Sequence, residues 1–140
     1  MKFRIKYSGG SPTIDWGDEV VTTVTTTFTS HTYEEHGEYT IKIYDYVTDI
    51  KSFDEIYTAM MKSVTTFGDL PLKGLTDTFR YANNLEFVPS DLPSSVTSLI
   101  RTFSDTNASN DAFSNIVNWD VSNVTDMSLL FSSARISIDF

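Results

Sequence analysis

The sequence contains no cysteine, which excludes a disulfide framework and a thiolate-bound zinc and leaves the redox compartment open. Basic side chains are scarce: ten Lys and Arg stand against nineteen Asp and Glu, a formal net charge of −9. An acidic surface repels phosphate backbones and anionic headgroups, so neither nucleic acid nor membrane is expected as a partner. No apolar run approaches the roughly 20 residues that a membrane-spanning helix needs. A secretory leader is also lacking, because Met1 runs into Phe3-Arg4-Ile5-Lys6-Tyr7, which alternates instead of forming a continuous apolar stretch. The expectation is a chain made in a cytoplasm and not exported by the usual leader. There is no Gly-x-Ser-x-Gly nucleophile turn, and Gly9-Gly10 is followed by Pro12 instead of a helix, so no phosphate loop is present.

What is present suffices for a core. The 140 residues are 40% hydrophobic and 14% aromatic, enough for one ordinary domain or two very small ones. The first 45 residues alternate with period two. Phe3, Ile5 and Tyr7 share one face of a strand, and Lys2, Arg4 and Lys6 share the other. Turn residues 8–12 precede a short strand at 13–16, a Thr-rich strand at 20–28 and another at 39–43. Short strands at this spacing suggest an antiparallel sandwich. Residues 46–70 read as junction strands, with a helical turn or extended bridge at 56–61.

From about residue 71 the pattern changes. Leu72, Val96 and Val124 are each followed at plus three by Leu75, Leu99 and Met127, and at plus seven by Phe79, Phe103 and Phe131. Positions 0, 3 and 7 make one helical face. Cap-like pairs, Ser94-Ser95 and Ser122-Asn123, precede the last two. Units of 24 and 28 residues have leucine-rich-repeat length. Each unit is expected to supply one short helix and one strand, the strands near 86–88 and 116–119.

Several groups invite a chemical reading. Asp15-Trp16-Gly17-Asp18 sets two carboxylates beside an aromatic; with His31 they suggest a metal-assisted hydrolase, while the simpler account is an Asp-stabilised turn. His31 and His36 flank two glutamates, but between strands they need not share a face, and a solvated turn accounts for them. Tyr39, after Gly37, suits a sandwich corner contact. The strip Lys2, Arg4, Lys6 reads either as a solvated sheet face or as a contact for an acidic neighbour. Trp119 belongs to the core by its spacing, yet Trp often keeps an edge at a surface where it anchors a partner. No catalytic residue, metal ligand or cofactor is expected.

The residues Ile14-Asp15-Trp16-Gly17-Asp18, His31-Thr32-Tyr33 and Gly37-Glu38-Tyr39-Thr40-Ile41-Lys42-Ile43 resemble the PKD-like family of immunoglobulin-type sandwiches, with Glu19 where that family usually has a second Gly. The run Trp119-Asp120-Val121-Ser122-Asn123-Val124-Thr125-Asp126-Met127 and its Phe131 resemble BspA-type leucine-rich repeats, with Leu130 where Met is usual before the Phe. Segments around Val96 and Leu75 look like variants of the same unit. The two resemblances imply a mainly β chain: a PKD-like β-sandwich over residues 1–45, junction strands over 46–70, and a short leucine-rich-repeat solenoid over 71–140. Both families imply adhesion and display, and neither brings a catalytic residue.

The lack of a leader turns the expected setting towards a phage virion, as a head decoration or a tail or fibre accessory protein. The alternative is a bacterial surface adhesin binding a host protein or glycan. Repeat units bury their apolar faces by stacking, so the last unit needs a cover. Ile136, Ile138 and Phe140 are expected to meet another virion protein or a copy of the same chain.

Overall fold

The computed structural model describes residues 1–51 and 55–136. Within them the chain is mainly β, with two small antiparallel sheets and few helices. The strands are β1 (Lys2–Ser8), β2 (Thr13–Asp15), β3 (Val21–Thr23), β4 (Phe28–Thr32), β5 (Lys42–Tyr44) and β6 (Asp49–Lys51). One sheet has the order β4-β1-β6 and the other β3-β2-β5. Alternation sets the faces of β1: Ile5 and Tyr7 are buried, while Lys2 and Lys6 are exposed. Trp16, Ile14, Val24, Tyr33 and Val47 fill the space beside them.

The Thr-rich stretch 20–28, expected as one strand, is instead two short pieces separated by a bend, so Val24 is buried while Val20 and Phe28 are exposed. The third strand of the β1 sheet, β6, comes from the stretch read as a junction. Glu55–Thr58 is a single α-helical turn, α1.

Beyond residue 70 the chain winds through three stacked turns, here called coils: 72–82, 96–106 and 124–134. Isolated parallel bridges join Asp49 to Gly74, Gly74 to Ser98, and Ser98 to Asp126. The stack therefore continues the β1 sheet outward from β6. The Lys73 N–H donates to the Thr48 carbonyl (2.7 Å), Thr97 to Lys73 (2.9 Å) and Thr125 to Thr97 (2.8 Å). A second parallel contact, Ser63 with Phe87, runs along another side.

The expected short helix in each repeat is absent among the described residues. Residues at positions 0, 3 and 7 do point inward, but in turns. Each coil carries two non-glycine residues with positive φ, four positions apart: Asp77 and Tyr81, Arg101 and Asp105, Leu129 and Ser133. A left-handed residue every four positions breaks an α-helix. Residues 116–119, expected as a strand, form a 3₁₀ turn over Ile116–Asn118 instead; a second such turn spans Asn110–Phe113. The rings of Phe79, Phe103 and Phe131 stack in a column at 5.4 Å and 5.6 Å, nearly parallel.

Candidate functional site

The Asp15-Trp16-Gly17-Asp18 turn is built as turn chemistry dictates. The Gly17 N–H donates to Asp15 Oδ1 (2.9 Å), and Gly17 sits at φ 80°, where a Cβ would lie 2.7 Å from the Thr40 carbonyl oxygen. Asp18 points the other way. Its Oδ2 lies 2.6 Å from Nε2 of His31, which is on β4 and not in a solvated turn. The His31 ring stacks on Trp16 (5.1 Å) and meets Tyr33 edge-on (4.6 Å). The Tyr33 hydroxyl donates to the Trp16 carbonyl (3.0 Å), and its ring stacks on Tyr39 (4.0 Å). The Tyr39 hydroxyl reaches back to the Glu35 carbonyl (3.1 Å), a corner contact.

Asp18, His31, Trp16, Tyr33 and Tyr39 thus form one clasp between the turn after β2 and the end of β4. Partial burial alone raises the Asp18 carboxyl, but the His31 hydrogen bond and charge, with the Val20 amide, outweigh it and hold the group below the usual carboxylate range. Burial pushes the Tyr33 phenol up to about 12. That phenol stays protonated at neutral pH, as its donor role requires. His36 is exposed and apart from the clasp. Among the described residues no group of three or more His, Asp or Glu side chains is placed to hold a metal.

The strip on β1 is not uniform. Lys2 and Lys6 are exposed, whereas the Arg4 guanidinium lies over the rings of Phe28 (5.5 Å) and Tyr57 (5.6 Å). Trp119 lies in the core. Its Nε1–H donates to the Pro89 carbonyl (2.8 Å), and its ring packs against Phe67 and Phe103. Ile136 is half-buried against the core; Ile138 and Phe140 lie outside the described residues.

A cleft of about 1660 Å³ separates β5 from the segment 58–72 and is lined by Phe3, Ile41, Ile43, Met61 and Leu70 among others. Glu38 and Lys62, both on its walls, form an ion pair. Glu86, also on the wall, adds its charge to that of Glu38 at Lys62 and helps hold the ammonium pKa above its ordinary value.

A feature that the sequence reading did not name is a set of exposed apolar side chains in the stack. It lies on the third coil itself. Leu75 and Leu99 are each 1% exposed, but Met127, at the same repeat position, is 41% exposed, and Leu129 beside it is 58% exposed. Val124 and Phe131 are half-buried, whereas Leu72, Val96, Phe79 and Phe103 are buried.

Between the first two coils two ion pairs cross. The Arg101 guanidinium grips Asp77 with two hydrogen bonds (2.7 and 2.8 Å), and Arg80 bonds Asp105 (2.9 Å). The Arg101 hydrogen bond, together with the charges of Arg101, Arg80 and Lys51, holds the Asp77 carboxyl below its ordinary value against partial burial, which raises it. The third coil has no equivalent charge: Leu129 and Ser133 occupy the left-handed positions.

No helix among the described residues is long and apolar enough to cross a membrane. No protein-family model, no curated protein and no solved structure matches this chain.

Proposed function

We propose that this chain is a non-enzymatic assembly and adhesion module: a PKD-like sandwich seated on a short BspA-type leucine-rich-repeat solenoid. One observation carries the reading. The side chains that suggested catalysis are engaged in holding the fold, while the third coil leaves apolar repeat positions open. Asp15 bonds its own turn, and Asp18 and His31 bond each other over Trp16. Met127 and Leu129 stand exposed where their counterparts in a seated coil are buried. Exposed apolar surface of this kind marks a site of contact with another protein.

The Trp16-Gly17-Asp18 turn and the Tyr39 corner support the sandwich assignment. The recurrence of bridges, ring stacking and left-handed residues at 24 and 28 residues supports the solenoid assignment. The setting we propose is a phage virion, as a head decoration or a tail or fibre accessory protein, with other virion proteins or copies of itself as partners. The net charge of −9 fits a surface that is not aimed at nucleic acid.

Antibody labelling tests the setting. Intact particles purified from a host that encodes the chain are expected to carry label. Label on intact bacterial cells and none on particles transfers the module to a bacterial surface adhesin, binding a host protein or glycan. Label on neither defeats both settings. The hydrolase reading predicts a bound ion in purified protein by elemental analysis; none is expected here.

A further inference from the structure

The scarce cations of this acidic chain gather on one sheet. Residues directly opposite each other in an antiparallel pair point to the same face. β1 sets Lys6 opposite both Phe28 of β4 and Lys51 of β6, Lys2 opposite Thr32, and Arg4 opposite Ser30. Lys2, Arg4, Lys6 and Lys51 therefore share the outer face of the β4-β1-β6 sheet, away from buried Ile5 and Tyr7. They are four of the ten basic residues, and the other six share the rest of the chain with nearly all of the nineteen acidic ones.

Two features separate this face from an ordinary solvated strip. Lys6 and Lys51 stand directly opposite each other, an arrangement of like charges that costs stability. Elsewhere cations are matched: Lys62, Arg80 and Arg101 each hold a carboxylate, whereas no carboxylate among the described residues lies within ion-pair distance of Lys2, Lys6 or Lys51. The nearest acids are engaged. Asp49, opposite Ser8, is bonded by the hydroxyls of Ser8 and Thr48 (3.4 and 3.0 Å), and Asp77, which feels the charge of Lys51, is gripped by Arg101. The face is also braced. The Arg4 guanidinium lies over the rings of Phe28 and Tyr57, and Phe28 is 46% exposed in the same row as Lys6 and Lys51. Arginine beside exposed aromatic rings is the composition of a protein contact.

The charge pattern names the occupant. Lys2, Arg4 and Lys6 recur at every second residue, a positive charge about every 7 Å along about 13 Å of strand. An extended polypeptide with Asp or Glu at every second position offers carboxylates at the same repeat. A long, dense polyanion fits less well, because it runs past this face onto the acidic remainder of the surface. A second copy also fits less well. None of the nineteen acidic residues has another two positions on, so no extended segment of this chain lines up neighbouring carboxylates on one face. Two copies, each at −9, repel besides.

We propose that the outer face of the β4-β1-β6 sheet is a docking surface for an extended acidic segment of a partner protein. Lys2, Lys6 and Lys51 face its carboxylates, and Phe28 supplies the apolar contact. The proposal rests on the reading of the chain as an assembly module and gives one partner its chemistry. Such a contact is driven by charge and weakens as salt rises.

The test uses the full chain and a labelled peptide that alternates Glu and Ser, followed by fluorescence anisotropy at low ionic strength and mapped by backbone amide shifts. Saturable binding is expected, with shifts centred on Lys2, Lys6, Phe28 and Lys51. Lys6→Glu is expected to weaken it by about tenfold or more. That substitution sets opposite charges across from each other at Lys51, so lost binding does not report lost folding. Lys42→Glu makes the same charge change at an exposed position of β5, in the other sheet, and is expected to leave binding within about twofold. The proposal is overturned if the peptide does not bind, or if Lys42→Glu weakens it as much as Lys6→Glu. It is also overturned if heparin binds through the same lysines more tightly than the peptide, or if the chain alone dimerises in sedimentation velocity and Lys6→Glu dissolves the dimer. Particle label without peptide binding rejects this face alone, and peptide binding without label rejects the setting alone.

Discussion

The Asp15–Asp18 turn shows how single residues fix the two-sheet part of the chain. Gly17 occupies a left-handed conformation with the Thr40 carbonyl against its α-carbon. Gly17→Ala is expected to cost about 1–2 kcal/mol from backbone conformation alone, with more from the clash, read in a denaturant melt. Glu19 sits at φ 70°, an unfavourable place for a side chain. Glu19→Gly should stabilise by up to about 1 kcal/mol, since relief of the left-handed penalty outweighs the extra chain entropy of glycine. A loss of stability would contradict this account of the turn. The turn itself was legible, because Asp-x-Gly-Asp carries its own hydrogen-bonding logic. The clasp around His31 was not. The Thr-rich run reads as one strand, and nothing local shows that it bends before Phe28 and restarts as β4, which carries His31 onto Trp16.

At the scale of elements, the spacing of Leu72, Leu75 and Phe79 and their repeats named the buried positions of the first two coils but not their conformation. Spacing of 0, 3 and 7 fits a helix, yet left-handed residues at non-glycine positions turn the amides across to the neighbouring coil. Such residues carry no mark in the sequence: Asp77, Tyr81 and Arg101 look like ordinary surface side chains. The aromatic column gives a direct check. Phe103, fully buried between two rings, should cost about 3–5 kcal/mol on truncation to Ala. Phe131→Ala should cost clearly less, because its outer face already meets solvent. Equal losses would mean that the third coil is as covered as the second. The Asp77–Arg101 pair predicts a pH signature. The folded-state pKa of Asp77 is depressed, so its contribution is present above the unfolded value, about 3.9, and is lost as pH falls through the folded one. Asp77→Asn should therefore lower the thermal midpoint at neutral pH and converge on the wild type in acid. An offset independent of pH would remove the ion pair from the account.

For the whole molecule, the two halves of the sequence meet in one ladder. β4, β1 and β6 pair, and the bridges from Asp49 through Gly74 and Ser98 to Asp126 carry the pairing onward. Composition and alternation pointed to a β-rich chain, and repeat length pointed to stacked units. How the sheets seat the stack depends on β6 pairing with β1 across more than forty residues, which no local pattern reports. The third coil is the least covered part of this ladder: the amides of Met127, Leu129, Phe131 and Ser133 donate to no carbonyl among the described residues, and Met127 and Leu129 are exposed, which is the basis of the assembly module we propose. Residue-resolved amide exchange of the unmodified chain tests that claim most directly. Slow exchange is expected at 75, 77, 79, 81 and at 99, 101, 103, 105, and fast exchange at 127, 129, 131 and 133. Equal protection across all three rows would show a covered end and contradict the account.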